Sequence, residues 1–304
     1  MTLHSDAAKG DIMTIEADII ADSVSAEGKR ITTMQLRYPR FIHAEFMTHR
    51  VFSRNASSSR AIPVERMIAD LRRDPAKPVF WGSNKPGMQA GEEVTGTARA
   101  IVEREWLYGM ERAIQVAQQL MAAGLHKQIA NRVLEPWAHI NVVVTATEWD
   151  NFFALRRHAD AQPEIKVLAD AMWDTMQASI PEKMEEGEWH LPYITVAEKW
   201  QLVNMPDGVE FGRKISAARC ARVSYLTHDG KRTSAEEDLA LFDRLMGAAP
   251  LHASPAEHQA MADTRSERFS AEGGEVGSDW DNPHEHGNFI GWRQHRRMLP
   301  GGIV

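Results

Sequence analysis

Only one cysteine, Cys220, occurs in the 304 residues, which excludes an intrachain disulfide and any cysteine-rich zinc centre. No apolar run approaches the roughly 18 residues that cross a bilayer, and no hydrophobic leader segment stands near Met1. These absences lead to the expectation of a reducing, cytoplasmic setting. G-x-S-x-G, a Walker phosphate loop and G-x-G-x-x-G spacing are missing too, as are internal repeats and low-complexity tracts. Positive charge is not in excess: 35 Lys and Arg against 42 Asp and Glu give a formal net charge of −7. That argues against a nucleic-acid polymer as partner but is compatible with a local cationic pocket. The remaining composition, 43% hydrophobic and 25% charged, is that of an ordinary globular chain.

Against this background one stretch stands out, Thr48 to Ala61 (THRVFSRNASSSRA). Only Val51 and Phe52 in it are large and apolar, so core burial does not account for it. Its Ser and Asn side chains compete for nearby backbone groups and favour turns over helix. Arg50, Arg54 and Arg60 supply forked donors that match phosphate geometry. The residues alone admit two readings, a solvated basic loop or a loop that grips a polyanion such as a nucleotide phosphate. The apolar entry Arg40–Met47, expected as an amphipathic helix or strand, anchors the loop on a core and favours the second.

Periodicity organises the rest. A hairpin is expected from residues 12–26, the turn Glu27-Gly28-Lys29 and the alternating strand Arg30–Tyr38. A helix with Pro63 near its start follows over 62–71, then an irregular loop over 74–93. Thr97–Ala123 is the clearest helix, with Ile101, Trp106, Met110, Ile114, Ala117 and Met121 as a packing stripe and Gly124 ending it. A helical piece from His126 is expected to stop at Glu135-Pro136, and His139–Ala146 reads as a strand. Thr147 is expected to cap the next helix, and Pro163 to open another with Ile165, Leu168, Ala169, Met172 and Met176 inward. Further helices are expected around 213–223 and 234–246. Glu182–Gly187 has the composition of a domain boundary, and Gln162 and Glu164 taken singly read as surface residues. Cys220 lies among small apolar residues and reads as core. His284-Glu285-His286 lacks the i, i+4 spacing of a helical zinc site, so no metal is expected.

The polar stretch resembles the signature of the flavin-dependent thymidylate synthases, R-H-R-x-x-S-x-N-x-x-S-x-R. It matches at His49, Arg50, Ser53, Asn55, Ser58 and Arg60, and departs at Thr48, Ala56 and Ala61. Residues 131–136 (NRVLEP) resemble that family's A-R-x-x-L-P, with Arg132 and Pro136 in register. Residues 151–156 and 161–165 resemble N-F-x-x-L-R and A-Q-x-E-I. Ala221-Arg222-Val223-Ser224-Tyr225 and Ser254-Pro255-Ala256-Glu257-His258 resemble A-R-V-S-Y and S-P-F-E-H, with Ala256 replacing Phe. In the familiar order these last two segments come first, so the chain resembles a circularly permuted member. Both sides of 182–187 would then serve one site, and a single domain over 1–304 is expected, with the family segments at 31–180 and 217–260.

What the resemblance implies is specific. The fold would be α/β (α+β), a mixed β-sheet flanked by long helices. The reaction would be reductive methylation of dUMP to dTMP, with FAD as cofactor and NADPH and methylenetetrahydrofolate as co-substrates. FAD would be bound by His49, Arg50, Asn55, Asn151 and His258. Ser58, Ser59, Arg60 and Arg132 would hold the nucleotide, with Arg156 against the pyrimidine, and the catalytic work would fall to Arg156 and Ser58. The partners would be a dUMP-like nucleotide and further copies of the chain, in a homotetramer with sites between subunits. Arg60, Arg156 and His258 are therefore expected to share a cleft, within one chain or between neighbouring ones. Asn151 and Arg156 lie five apart, about 140° around a helix, so they would face different ligand parts. Two other readings stay open: a relative that hydroxymethylates dUMP or modifies dCMP, and a nucleotide-binding module without catalysis.

Overall fold

The computed structural model describes residues 15–223, 233–269 and 275–302. Its centre is the hairpin of β1 (Glu16–Ser25) and β2 (Arg30–Pro39), turning at Gly28 with φ +73°, a backbone conformation that glycine adopts without a Cβ clash. A tight helical turn (Arg40–Ile42) and α1 (His43–Met47) follow, so of the two forms expected for this anchor, helix or strand, the chain takes the helix. The stretch expected to be all loop then contributes an edge strand, β3 (Ser53–Ala56). Its sequence has no β-branched residue, so the pairing comes from its neighbour.

After β3 come α2 (Val64–Arg73), α3 (Gly96–Ala122) and α4 (Lys127–Ala130). A tight helical segment (Asn131–Trp137) runs through Pro136 rather than stopping at Glu135, and leads into β4 (His139–Ala146). β4 pairs antiparallel with both β2 and β3. Next are α5 (Asp150–Arg156), α6 (Pro163–Ala178) and β5 (Glu182–Met184), which pairs parallel with β1. The result is a mixed sheet of order β3-β4-β2-β1-β5. The acidic segment with the composition of a boundary is thus built into the sheet edge.

Strand alternation divides the sheet into two faces. One carries Met34, Leu36 and Tyr38 with Ile140, Val142 and Val144, and packs on Phe46, Phe52, Phe152, Phe153, Leu168 and Met172. Met110, Ile114 and Ala117 of α3 are buried against α2 as the stripe predicts, but Ile101 is exposed at the helix's free end. Thr147 does not cap α5: its hydroxyl accepts from the Ile290 amide (3.0 Å). Glu164, expected at the surface, is buried, where it accepts from the Val79 amide (2.6 Å) and from Gln162. It pins the irregular 74–93 segment to α6.

The other face is polar, with Thr33, Gln35, Thr145 and Ser53, and the C-terminal part of the chain covers it. That part comprises β6 (Trp189–His190), α7 (Val196–Val203), α8 (Gly208–Ala221), α9 (Ala235–Met246) and β7 (Ala260–Ala262). It continues with the ribbon of β8 (Arg265–Phe269) and β9 (Glu275–Trp280), then β10 (Trp292–Gln294) and α10 (His295–Met298). Trp292 is fully buried and donates to the Lys29 carbonyl (3.1 Å), and Arg296 pairs with Glu257, so the terminal segment is packed. Ser224 and Tyr225 of the A-R-V-S-Y segment lie outside the described residues; its Arg222 bonds Asp238.

Burial also makes stability depend on pH. His190, His258 and His295 are each held at a pKa of about 3, against an ordinary 6.5, chiefly because burial disfavours the charged ring. Below the unfolded value the unfolded chain binds more protons than the native one. The stability is therefore fully present above about pH 6.5 and is lost as pH falls toward 3, by up to about 1.4 kcal/mol per pH unit for each ring. The urea midpoint is expected to drop from about pH 7 to about pH 5, and to drop less in His190→Gln. An equal drop in both proteins would contradict the assignment.

Candidate functional site

The residues singled out in the sequence fall into three places. The first lies where α1 meets α5. His49 is nearly buried, its ring edge-on to Phe152 (centroids 4.9 Å) and stacked on Phe52 (5.8 Å). Arg156 Nε donates to His49 Nε2 (2.9 Å), and Arg156 Nη2 donates to Thr48 Oγ1 (3.2 Å). The Thr48 hydroxyl in turn donates to the Glu45 carbonyl (2.7 Å). Burial first, then the Arg156 and Arg54 charges, hold the His49 pKa at about 4. The ring is neutral at physiological pH, and accepting at Nε2 places its proton on Nδ1. Thr48 stands where the resembled signature has Arg. A hydroxyl there accepts from Arg156, whereas a second guanidinium would repel it.

Arg54 is not free to grip an anion. Its Nη1 donates to the carbonyls of Phe46 (3.4 Å), Met47 (3.1 Å) and His49 (3.0 Å), closing the C-terminal end of α1. Arg50 and Asn151 flank the His49–Phe152 contact in sequence. Both are exposed, and neither side chain has a hydrogen-bond partner among the described residues. Asp160, four residues on from Arg156 and so within reach of it on a helix, contacts His158 instead, through its backbone amide (3.2 Å) and its carboxylate (3.6 Å).

The second place lies beyond β3, on the C-terminal side of its last residue, Ala56. Ser59 is buried and donates to Glu135 Oε1 (2.6 Å), Arg132 Nη1 donates to the same oxygen (2.9 Å), and Arg40 Nη2 lies 3.2 Å from it. Asn131 Nδ2 donates to the carbonyls of Ser59 (2.7 Å) and Ile62 (2.9 Å), and Lys127 Nζ to that of Ala61 (2.9 Å). These bonds set the backbone of 59–62. Ser58 and Arg60 make no side-chain hydrogen bond among the described residues, and Arg60 is exposed. Asn55, on β3 opposite Val143, is buried and likewise without a side-chain bond.

The third place is interior. His258 is 0% exposed, and its Nδ1 lies 2.9 Å from Thr145 Oγ1. From there Thr145 meets Thr33 (2.7 Å), Thr33 meets His190 Nε2 (2.8 Å), and His190 Nδ1 meets Ser23 (2.9 Å). Thr145 points to the sheet face opposite Val144, so the sheet stands between His258 and the aromatic core that carries His49. Within one chain, then, Arg156 joins His49 and Thr48, Arg60 joins Ser58, Ser59 and Arg132, and His258 joins neither group.

Sequence reasoning missed Glu135 and the threonine–histidine chain. The only signal for Glu135 was its place before Pro136, where the resembled motif has Leu. Cys220 is buried, and burial pushes its thiol pKa up. His286 Nε2 lies 2.8 Å from Asp263 Oδ2, and no three metal-type side chains cluster among the described residues. Nor is any described helix long and apolar enough to cross a membrane.

Residues 30–182, just over half of the chain, match the Thy1 family, described as thymidylate synthase complementing protein. The match contains 48–61, 131–136 and 151–165 but neither 221–225 nor 254–258. Two curated relatives, named flavin-dependent thymidylate synthase, come from Tropheryma whipplei strains TW08/27 and Twist. Each is 27% identical over 161 residues, or 49% of this chain, and the chain spans only 65% and 64% of their lengths. Two solved structures of a UMP/dUMP methylase, PolB, from Streptomyces cacaoi, bound with 5-Br UMP or 5-Br dUMP, are similar to 53% of this chain. Their identities are 20% and 18%, over 88% and 89% of those chains, with TM-scores of 0.43 and 0.45.

Proposed function

The chain belongs to the thymidylate synthase complementing protein family, and we propose that it is a flavin-dependent thymidylate synthase that converts dUMP to dTMP without a cysteine nucleophile. The observation that carries this reading is the Arg156–His49–Thr48 group. It holds a guanidinium by two of its N–H groups and leaves the others, including both on Nη1, to meet a ligand. Methylation at carbon 5 of a pyrimidine requires negative charge to develop on the ring. A thiolate adding to the ring is the other solution, and the buried, undissociated Cys220 does not offer it. A fixed guanidinium stabilises the same charge electrostatically. The neutral His49 orients Arg156 while adding no second cation beside it.

The donor set fits a flavin. Arg50 and Asn151 are exposed polar groups whose side chains have no partner among the described residues, each next in sequence to one member of the buried His49–Phe152 contact. Bound there, reduced FAD would supply the hydride that completes the methyl group, with NADPH as its reductant and methylenetetrahydrofolate as the carbon donor. Ser58, Ser59, Arg60 and Arg132 would hold the nucleotide phosphate. Because these residues and Arg156 stand at separate places on one chain, we read each as its share of a site completed by a second copy, in a homo-oligomer. Asn55, expected as a flavin contact, is buried on the sheet face of Ser53 and Thr145, turned away from the aromatic core that carries His49, and is not assigned to the flavin. His258, enclosed behind the sheet, is assigned an internal role with Thr145. The chain is read as one domain acting on a free pyrimidine nucleotide rather than on a nucleic-acid polymer.

Two measurements test this. Reduced flavin bound to the protein should be reoxidised faster with dUMP and methylenetetrahydrofolate than with either alone. A faster reaction with dCMP would move the assignment to a related pyrimidine, a reading that the departures at Thr48, Ala56, Ala61 and Ala256 make worth including. Cys220→Ala should stay folded and keep turnover within about twofold. A folded Cys220→Ala protein that has lost turnover would overturn the thiol-free route.

A further inference from the structure

The reading of Ser58, Ser59, Arg60 and Arg132 as a phosphate cradle leaves one group unexplained, and the inference here rests on that reading. Glu135 is bonded to two of the four, Ser59 and Arg132. Its Oε1 accepts from Ser59 Oγ (2.6 Å) and Arg132 Nη1 (2.9 Å), and Arg40 Nη2 approaches to 3.2 Å. Three donors converging on one anionic oxygen, two of them guanidinium groups, reproduce the surroundings of a bound phosphate oxygen. The carboxylate is only 21% exposed, so it occupies the cradle rather than lying across its mouth. The tight helical segment 131–137 puts Arg132 and Glu135 on the same side, three residues apart. The resembled motif A-R-x-x-L-P has an uncharged Leu at this position, where this chain has Glu135.

We propose that Glu135 is a built-in competitor for the substrate phosphate: it occupies the phosphate donors in the free protein and must leave them for the nucleotide to bind. Two consequences follow from charge. A phosphate entering beside Glu135 meets a like charge, so the carboxylate lowers affinity for the nucleotide while leaving recognition of the base alone. The donors also stay ordered without ligand, because the carboxylate holds them where the phosphate will need them. Glu135 therefore sets how much nucleotide is required for occupancy, and disfavours anions too weakly bound to displace it.

The test is calorimetric titration of dUMP, deoxyuridine and inorganic phosphate into the full chain, wild type against Glu135→Gln and Glu135→Leu. Thermal unfolding serves as the check on folding. Both variants are expected to bind dUMP about tenfold more tightly or better, with deoxyuridine affinity unchanged. Equal or weaker dUMP binding in the variants, with wild type preferring dUMP over deoxyuridine, would overturn the competitor and leave the cradle standing. If dUMP binds no more tightly than deoxyuridine to any of the three proteins, the cradle itself is wrong and the competitor falls with it.

Discussion

Replacing Arg156 by alanine is expected to lower turnover by about 10²–10³-fold while the protein stays folded and still binds flavin. Arg156 lies at the end of α5, half-exposed, and its contacts are the His49 ring and the Thr48 hydroxyl. Removing it empties no core position, since Phe152 and Phe153 of the same helix carry the packing. Its loss should therefore appear in kcat rather than in the unfolding midpoint. Arg156→Lys should recover little, because a lysine ammonium cannot reach His49 and Thr48 as a fork and still face a ligand. Stopped-flow oxidation of bound reduced flavin with dUMP checks this. Turnover within a few-fold of wild type would remove Arg156 from the chemistry.

A second large effect is expected where α7, α8 and α9 meet. Asp238 on α9 is 0% exposed and is held by three donors. Arg219 Nε donates to Oδ2 (2.9 Å), while Arg222 Nε (2.9 Å) and the Thr233 hydroxyl (2.7 Å) donate to Oδ1. Arg219 also bonds Glu198 of α7 (2.7 Å), so one network ties α7, α8 and α9 together. The side chains of Arg219 and Arg222 are only 15% and 20% exposed. Asp238→Ala would leave two poorly hydrated guanidinium groups beside a void. The expected loss is about 3–5 kcal/mol of stability, read as a lower urea midpoint with little change in slope. A loss below about 1 kcal/mol would show that water reaches the arginines freely.

Much of the fold was legible because its signals are local. The alternation of Arg30–Tyr38 and the β-branched run His139–Ala146 give strands wherever they pair, and Gly28 permits the turn between β1 and β2. The helices α3 and α6 follow from stripes at helical spacing. What was not legible depends on partners distant in sequence. Ser53–Ala56 becomes a strand because β4 is its neighbour, not because of its own propensity. Thr147 loses its capping role to the Ile290 amide, 143 residues away. Glu164 is buried because Val79 supplies an amide hydrogen.

The candidate site divides the same way. The resemblance picked out His49, Arg50, Ser58, Arg60 and Arg156, and the structure pairs His49 with Arg156. Arg54 looked equivalent to Arg50, but the carbonyls at the end of α1 take its guanidinium. His258 looked exposed to a cofactor by its motif, and the packing of the C-terminal part encloses it. Glu135 gave no sign of its role, since a carboxylate before a proline says nothing about three donors arriving from 40, 59 and 132.

The most direct test of the central claim follows the carbon. Wild-type protein with reduced flavin, dUMP and methylenetetrahydrofolate labelled in its methylene carbon should yield, in one turnover, a nucleotide with the mass of dTMP carrying the label. Label remaining wholly on the folate while dUMP is recovered unchanged, from protein shown to bind both flavin and dUMP, would contradict the account.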